Sequence, residues 1–468
     1  QSANDSQNLI FYPYWILRKH CKPAILLNRK FQGWKFLGTF LRIFTEKPAN
    51  HTDKGEENMR HFQEINPSPR TLMTPGPVEA DPRVLRAMSA HILGQFDPEF
   101  TALMNETMEM ERYVFQTKNH QTYLVDTTSR GGLETVLTGA ICPGDKVLIP
   151  AFGRFGYLLA EILERCGADI TLLEKEWGTV FDPQEIEDAL KKDSYKAVAC
   201  IHGETSTSMM QPLDELGEIC EKYGALLIVD AVATLGGAEV KVDDWKLSAC
   251  ISGTQKCISA PSGSALITYN EQIGEIVRKR KRVEKGIRTT DDVDGKLAGI
   301  PSNYLDLAQL EDYWSPRRLN HHTEATSMQY AVHEALRCIV NETLEARFAR
   351  HKLNDEALVA GLKAMGLSIF GDLEHKMPVV TAINIPEGAD GKAIRGMLLN
   401  EFGIEIATSF GPLDGKILRI GNMGYSSQKR NILLLLGALE AVMLRNGVKV
   451  STGEAVAAAL DVYEKAGK

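Results

Sequence analysis

The chain has 468 residues, of which 44% are hydrophobic and 24% are charged. This length allows two or three domains, and this composition is too apolar for a disordered chain. The net charge of -8 argues against nucleic acid as the main partner. No uninterrupted apolar run reaches the roughly 18 residues of a membrane-spanning helix. Eight cysteines without CxxC or metal-finger spacing predict no metal site and the buried reduced thiols of a cytoplasmic protein. No membrane partner is expected.

Residues 1–58 differ from the rest of the chain. They contain nine Lys or Arg and five Asp or Glu, a net charge of +4, and they are rich in aromatic residues without a sustained period. One interpretation is a basic targeting arm. The other, which we favour, is an extension, non-native or disordered, ahead of a start at Met59.

Strands and helices alternate from Lys146 onward, and the strand segments are continuous apolar runs. Such runs are typical of strands that are covered on both faces, and strand–helix–strand units favour a mostly parallel sheet. The sequence therefore predicts an α/β fold. The predicted strands are 146–150, 169–174, 196–201, 225–230, 248–252 and 264–269, and the predicted helices are 157–167, 183–192 and 213–224.

The alternation of strands and helices stops at residue 278, where a charged stretch without strand signals begins. The basic run 278–282 can be an anion-binding site, but a solvated helix face is favoured because acidic residues follow it. One long helix is predicted for 322–348. Strands at 379–385 and 416–421 then favour a smaller C-terminal α+β domain, 335–468, after an N-terminal arm and large domain, 59–334.

Open α/β sheets bind ligands at the carboxyl ends of their strands. The turn DTTSRGGLE (126–134) leads directly into a helix, so Thr128, Ser129 and Arg130 form either an anion cup or an ordinary helix cap. Asp230 ends a buried strand, where it is either a structural turn cap or the partner of a cationic heterocycle.

Two further polar segments follow strands. Lys256, in SGTQKCISAPSG (252–263), is a surface lysine or a desolvated nucleophilic amine. Thr205, in HGETSTS (202–208), is part of a polar turn or a hydrogen-bond donor to a ring substituent. A phosphate cup, an acid and a lysine are the three parts that pyridoxal phosphate needs, so together they indicate a site for this cofactor.

The residues also resemble a known family, the class V aminotransferases, which are fold-type I pyridoxal phosphate enzymes. The similarity covers about 72–441. It implies a large domain with a mostly parallel sheet of the seven-stranded type, a smaller C-terminal α+β domain, and a homodimer with shared active sites. The matching motifs are TPGP (74–77), VFQT (114–117), HGETST (202–207), LLIVDAVATLGG (226–237), SGTQK (252–256), APSG (260–263), HHT (321–323) and LRIG (418–421).

The resemblance implies a role for each matching residue. Lys256 would carry the cofactor and shuttle the proton, Asp230 would pair with the pyridine nitrogen, and Arg419 would bind the substrate carboxylate. The remaining implied cofactor contacts are Thr128, Ser129, Arg130, Phe155, Thr205 and Gln255. Gly76 would lie near the substrate, and Asn320 and Thr323 would reach the site of the neighbouring subunit.

The amino donor is indicated by Gln95 and Asn320. Each carboxamide offers a donor and an acceptor, which complement the C=O and NH₂ of a ureido group. With GQFDPEF (94–100) and GRFGYLL (153–159), this pair resembles the ureidoglycine–glyoxylate branch of the family. The implied reaction passes the amino group of (S)-ureidoglycine to glyoxylate in purine (allantoin) catabolism, giving oxalurate and glycine.

Other interpretations stay open. The same site suits alanine or serine as the amino donor, and Gln95 and Asn320 can instead satisfy local backbone groups. A cysteine desulfurase-like lyase needs a nucleophilic cysteine on a C-terminal loop, whereas this chain offers only Cys338 there, inside a predicted helix. A cofactor-binding protein without catalysis is disfavoured by the presence of Lys256, Asp230 and Arg419.

Overall fold

A computed structural model describes residues 62–468, and its largest element is a seven-stranded sheet. Residues 1–58, for which the sequence leaves two interpretations, lie outside the described residues. Among the described residues, no helix is long and apolar enough to span a membrane. The cytoplasmic location stays a prediction.

The strands build one large sheet and three small ones. The large sheet has the order β2-β10-β9-β8-β5-β3-β4, in which β10 alone runs antiparallel to its neighbours β2 and β9. The mostly parallel α/β architecture predicted from the sequence is therefore confirmed. The strands are β1 (Thr71–Leu72), β2 (Gln121–Val125), β3 (Lys146–Ala151), β4 (Asp169–Glu174), β5 (Ala197–Ile201), β6 (Gly203–Glu204), β7 (Met209–Met210), β8 (Leu226–Asp230), β9 (Ala249–Gly253), β10 (Ala265–Tyr269), β11 (Val380–Asn384), β12 (Ile404–Glu405), β13 (Ala407–Thr408) and β14 (Ile417–Gly421).

Helices connect these strands and cover the sheets. The helices are α1 (Pro82–Ala87), α2 (Pro98–Phe115), α3 (Ser129–Ala140), α4 (Arg154–Arg165), α5 (Pro183–Leu190), α6 (Leu216–Lys222), α7 (Glu271–Arg280), α8 (Leu307–Trp314), α9 (Thr326–Glu342), α10 (Leu344–Ala364), α11 (Gly391–Phe402), α12 (Lys429–Arg445) and α13 (Glu454–Lys465).

Burial explains why the strands were recognisable in the sequence. All five residues of β5, β8, β9 and β10 are buried, as expected for strands that helices cover on both faces. Local signals define some helices as well. In α5, Asp182 and Glu185 form a capping box, and Pro183 occupies the first turn, where its missing N–H costs nothing.

Two large hydrophobic cores and two small ones lie in the described chain. The first large core packs around the seven-stranded sheet, and the last residue in sequence that belongs to it is Leu344. Apart from Met73, the residues of the second large core lie from Ala357 onward. Met73 belongs to the second core, because β1 pairs in parallel with β12. The three-stranded sheet β11-β14-β13 is antiparallel. The division of the chain near residue 335 stays a prediction.

The long helix expected over 322–348 is wrong. Residues Thr326–Glu342 and Leu344–Ala364 form two helices that are separated by Thr343, whose φ is 69°. The Thr343 hydroxyl oxygen accepts a hydrogen bond from the Ala346 N–H and so caps α10. Residues 322–325 are not helical, and the Ala325 N–H donates to the Asp126 carboxylate instead.

The solvated helix face expected for the basic run 278–282 holds for Arg278 and Lys279, which are exposed, but it is wrong for Arg280. Arg280 is only 1% exposed, and its guanidinium donates to the carbonyls of Thr138, Gly139 and Ile141 at the end of α3. Carbonyls at a helix end lack partners within the helix and favour a cation. Arg280 therefore satisfies buried backbone groups and has no free surface.

We predict that Arg280→Met lowers the free energy of unfolding by about 3 kcal/mol, because buried carbonyls at the end of α3 lose their donor. Urea unfolding followed by circular dichroism measures this change. The neighbouring Lys279 is exposed, so Lys279→Met is the control and should shift stability little. Equal stability of the two variants would contradict this role of Arg280.

Candidate active site

A cavity of about 280 Å³ opens at the carboxyl ends of the sheet strands. The segments that follow β2, β3, β5, β8 and β9 converge on it, as open α/β sheets lead us to expect. The lining residues are Gly76, Pro77, Thr128, Ser129, Arg130, Leu133, Phe155, Leu158, Gly203, Thr205, Asp230, Val232, Ala233, Gln255 and Lys256. Most of the site residues proposed from the sequence therefore come together in one place.

The turn after β2 presents free donors to the cavity. Thr128 is the N-cap of α3, but its side chain makes no capping hydrogen bond, so its hydroxyl is available to a ligand. The Ser129 hydroxyl instead bonds the Gln255 carboxamide, with the Gln255 Nε2 2.7 Å from the Ser129 Oγ. Free N–H groups at a helix N-terminus attract anions. The Arg130 guanidinium adds positive charge beside them.

Asp230 ends β8 with its side chain buried at the cavity. One carboxylate oxygen accepts from the Val232 N–H at 2.8 Å, and the residue is 6% exposed. Burial raises the pKa of Asp230 to about 7, with the nearby Glu204 adding to the shift. A cationic ring nitrogen against this carboxyl would lower its pKa and hold it ionised.

Lys256 follows β9 and places its amine against the backbone of 75–76. Its Nζ donates a hydrogen bond to the Pro75 carbonyl. Desolvation and then the charge of Arg419 lower the pKa of Lys256 to about 8. Gly76 has φ 115°, a conformation that side chains rarely adopt, and a Cβ there would meet the Lys256 Nζ, so glycine suits this close approach. Lys256 is therefore a desolvated amine of lowered pKa and not a surface lysine.

Glu204 organises the polar turn after β5. One of its carboxylate oxygens accepts from the Phe155 N–H at 2.8 Å, and the other accepts from the Ser206 N–H at 2.9 Å. Glu204 is fully buried, and desolvation raises its pKa. The carboxylate thus joins the segment that carries Phe155 to the segment that carries Thr205.

Arg419 lies beside the cavity but does not line it. Its guanidinium donates to the carbonyls of Thr205 and Thr408 through Nε and both terminal nitrogens. Because a guanidinium has five N–H groups, one N–H on each terminal nitrogen remains for a carboxylate. Burial lowers the pKa of Arg419 to about 10. Its guanidinium carbon also lies 4.8 Å from the ring centroid of Phe410.

Gln95, Asn320 and Thr323 lie together, away from this cavity. The Gln95 Nε2 donates to the Asn320 Oδ1 at 2.9 Å, and the Gln95 Oε1 accepts from the Glu324 N–H. Gln95 and Thr323 line a different cavity of about 460 Å³. None of the three lines the Lys256 cavity of the same chain.

The residues at the cavity fit pyridoxal phosphate. The donors at the start of α3 suit its phosphate, the Asp230 carboxyl suits its ring nitrogen, and the Lys256 amine suits its aldehyde. Three chemically different groups of the cofactor, its anionic phosphate, its cationic ring nitrogen and its aldehyde carbonyl, each find a complementary partner at the cavity. The fold and the cavity therefore define a fold-type I pyridoxal phosphate enzyme.

Comparisons with known proteins agree. The family model described as aminotransferase class-V matches residues 84–416. The chain is 60% identical over 402 residues to the (S)-ureidoglycine–glyoxylate transaminase of Bacillus subtilis, which covers 85% of this chain and 96% of that protein. It is 35% identical to the alanine–glyoxylate aminotransferase of Rattus norvegicus, over 77% of this chain and 84% of that protein.

A solved structure shows the same likeness. The crystal structure of ureidoglycine–glyoxylate aminotransferase from Bacillus subtilis matches with a TM-score of 0.81 and 58% identity, over 86% of this chain and all of that chain (100%). The chain belongs to the class V aminotransferases. It is an aminotransferase, and its cofactor is pyridoxal 5'-phosphate.

Two residues of this region escaped the sequence analysis. Glu204 lies in a segment interpreted only as a polar turn, although an acid directly after a fully buried strand is a detectable signal. Arg347 in α10 donates to the carbonyls of Gly236 and Cys257 and so holds the backbone next to Lys256. Arg347 is separated from Cys257 by ninety positions, and no local pattern connects the two.

We predict that Arg419→Met raises the pKa of Lys256 above about 8, because a nearby positive charge disfavours the protonated amine. The pH dependence of reductive methylation of Lys256 in cofactor-free protein, read by mass spectrometry, measures this pKa.

Arg154→Met is the matched control for this prediction. The Arg154 guanidinium carbon lies 4.3 Å from the same Phe410 ring centroid, but Arg154 is exposed and has no part in the pKa shift of Lys256. A Lys256 pKa that is the same in Arg419→Met as in the parent would show that the guanidinium charge does not reach the amine.

Proposed function

We propose that this enzyme transfers the amino group of (S)-ureidoglycine to glyoxylate, giving oxalurate and glycine in purine breakdown. The observation that carries this proposal is the 60% identity to the Bacillus subtilis enzyme named for that reaction. Alanine– and serine–glyoxylate transamination are the alternatives, and the 35% identity to an alanine–glyoxylate enzyme keeps the first of these in view.

In the proposed mechanism, the bound cofactor stabilises negative charge at the substrate α-carbon. The Lys256 Nζ accepts the α-proton and holds it for the return transfer. A pKa of about 8 suits this task, because a proton carrier works best when its pKa lies near the working pH. Arg419 orients the substrate by binding its carboxylate through its two unused N–H groups. Two half-reactions of this kind make the exchange ping-pong.

Asp230 and the α3 turn hold the cofactor in this proposal. The buried Asp230 carboxyl takes the ring nitrogen, while Thr128, Ser129, Arg130 and Gln255 take the phosphate end. Phe155 covers the ring face, and Thr205 donates to the ring hydroxyl. The two ends are thereby anchored on different strands of one rigid sheet, which limits the tilt of the ring.

We also propose a homodimer in which each subunit completes the site of its partner. Supporting this, Gln95 and Asn320 bond each other but lie outside the Lys256 cavity of their own chain. As a pair they present a donor and an acceptor to a ureido group in the partner's site, with Thr323 near the cofactor phosphate there. A site that hydrogen-bonds a substrate group discriminates strongly against analogues that lack it.

The donor assignment is tested by half-reactions without glyoxylate. Purified enzyme is mixed with (S)-ureidoglycine generated in place from allantoate, or with alanine or serine, and the visible cofactor band is followed. Rapid loss of the band with ureidoglycine, and release of oxalurate, is expected. Faster loss with alanine or serine would assign the enzyme to that donor.

Gln95→Leu and Asn320→Leu should each lower kcat/KM for ureidoglycine roughly 10- to 100-fold, because a polar substrate group is left unpaired. The rate with alanine should change little, since alanine has no group for the carboxamides to bond. Lys256→Ala is the inactive control. Equal losses for both donors would show that the carboxamides only support local structure.

Shared sites are tested by mixing two defective chains. A heterodimer of Lys256→Ala with Gln95→Leu/Asn320→Leu contains one intact site only if Lys256 and the carboxamide pair come from different chains. We expect about half of the parent activity with ureidoglycine per dimer. If the pair serves its own chain, both sites carry a defect, and the heterodimer has an activity as low as that of the two variant homodimers.

A further inference from the structure

Three metal-ligating side chains meet outside the Lys256 cavity. Asp126, His322 and Glu324 each offer one ligand atom, and these atoms lie within 4.8 Å of one another. The His322 Nε2 is 3.4 Å from the Asp126 Oδ2 and 3.6 Å from the Glu324 Oε2. The cysteine spacing that predicts no metal site has no bearing here, because this cluster contains no cysteine.

Two atoms of the cluster are buried without a hydrogen-bond partner among the described residues. They are the His322 Nε2 and the Asp126 Oδ1. The Asp126 side chain is 7% exposed and the Glu324 side chain is 1% exposed. Buried polar atoms almost always have a partner, so these two point to a ligand that both can bond.

The charge of the cluster also calls for a cation. Within residues 62–468, no lysine or arginine nitrogen lies within 4.0 Å of either carboxylate. Burying two carboxylates is costly unless their charge is paired. His322 supplies at most one positive charge, whereas a divalent cation supplies two.

Surrounding groups orient the three ligands. The Ala325 N–H donates to the Asp126 Oδ2, and the Tyr313 hydroxyl donates to the Glu324 Oε2 at 2.7 Å. The Nδ1 atoms of His321 and His322 are 2.8 Å apart. When His322 donates from Nδ1, its Nε2 presents a lone pair to the cluster, which is the usual arrangement of a metal-bound histidine.

We propose that Asp126, His322 and Glu324 bind a Zn²⁺ ion, with water as the fourth ligand. Tetrahedral zinc with bonds of about 2.0–2.2 Å places its ligand atoms roughly 3.3–3.6 Å apart. The distances from the His322 Nε2 to the two carboxylates, 3.4 and 3.6 Å, agree with this. An imidazole ligand favours zinc over magnesium or calcium, which select oxygen.

The consequence is structural. The ion joins the segment that carries Asn320 and Thr323 to Asp126, which lies two positions before Thr128. It therefore fixes the distance between the loop proposed to serve the partner subunit and the phosphate turn of its own chain. This site goes beyond the proposed function and does not depend on the identity of the amino donor.

The test is calorimetric titration of Zn²⁺ into chelator-treated, tag-free holoenzyme. One ion per chain is expected to bind. Loss of a group that hydrogen-bonds a metal ligand typically lowers metal affinity about 10- to 100-fold, so Tyr313→Phe should weaken Zn²⁺ binding by that factor. His322→Gln and Glu324→Gln change a ligand itself and should weaken binding more. His333→Gln is the matched control, because His333 also faces a glutamate, Glu106 at 3.1 Å, but lies outside the cluster.

A thermal readout on the parent protein complements the titration. Saturating Zn²⁺ should raise the unfolding midpoint of the parent protein and of His333→Gln, because a ligand that binds only the folded state stabilises it. It should not raise the midpoint of Glu324→Gln. Failure of the parent to bind one ion, or equal binding by His322→Gln, would overturn the proposal and leave protons as the neutralising charge.

Discussion

The burial of one amine governs the architecture of this enzyme's site. Lys256 lies in a low-dielectric cavity where a charged ammonium is costly, and its pKa falls to about 8 as a result. Much of the surrounding structure maintains that environment. Gly76 gives the amine room, Arg419 adds a repelling charge, and Asp230 and Glu204 act in the opposite direction by raising the pKa of Lys256.

Rigid support behind the site is as important as the groups that face the cavity. Arg347 donates to the carbonyls of Gly236 and Cys257, and Glu204 joins the turns that carry Phe155 and Thr205. These buried charges are expensive to desolvate, and their full hydrogen bonding offsets that cost. As a result, these hydrogen bonds hold in place the groups that must align with a flat cofactor.

The site also extends beyond one chain in our proposal. The Gln95–Asn320 pair and Thr323 lie outside the lining of their own Lys256 cavity and are partly or fully exposed. The cluster of Asp126, His322 and Glu324 lies directly behind them. Donor selection in the partner's site would thus depend on a loop whose position is set by buried polar contacts within its own subunit.

The sequence by itself determined the α/β architecture and most of the Lys256 cavity. Continuous apolar runs such as β5 and β8 mark strands that are buried on both faces, and parallel strands bring the residues after their ends together. Only the tertiary structure decided the roles of Arg280 and Arg347, the break at Thr343, and the position of Gln95 and Asn320 outside the cavity. Each of these depends on a partner distant in the chain or on a single backbone angle. Local periodicity records which face of an element is apolar, but it does not record which distant carbonyl or carboxylate a polar side chain will meet.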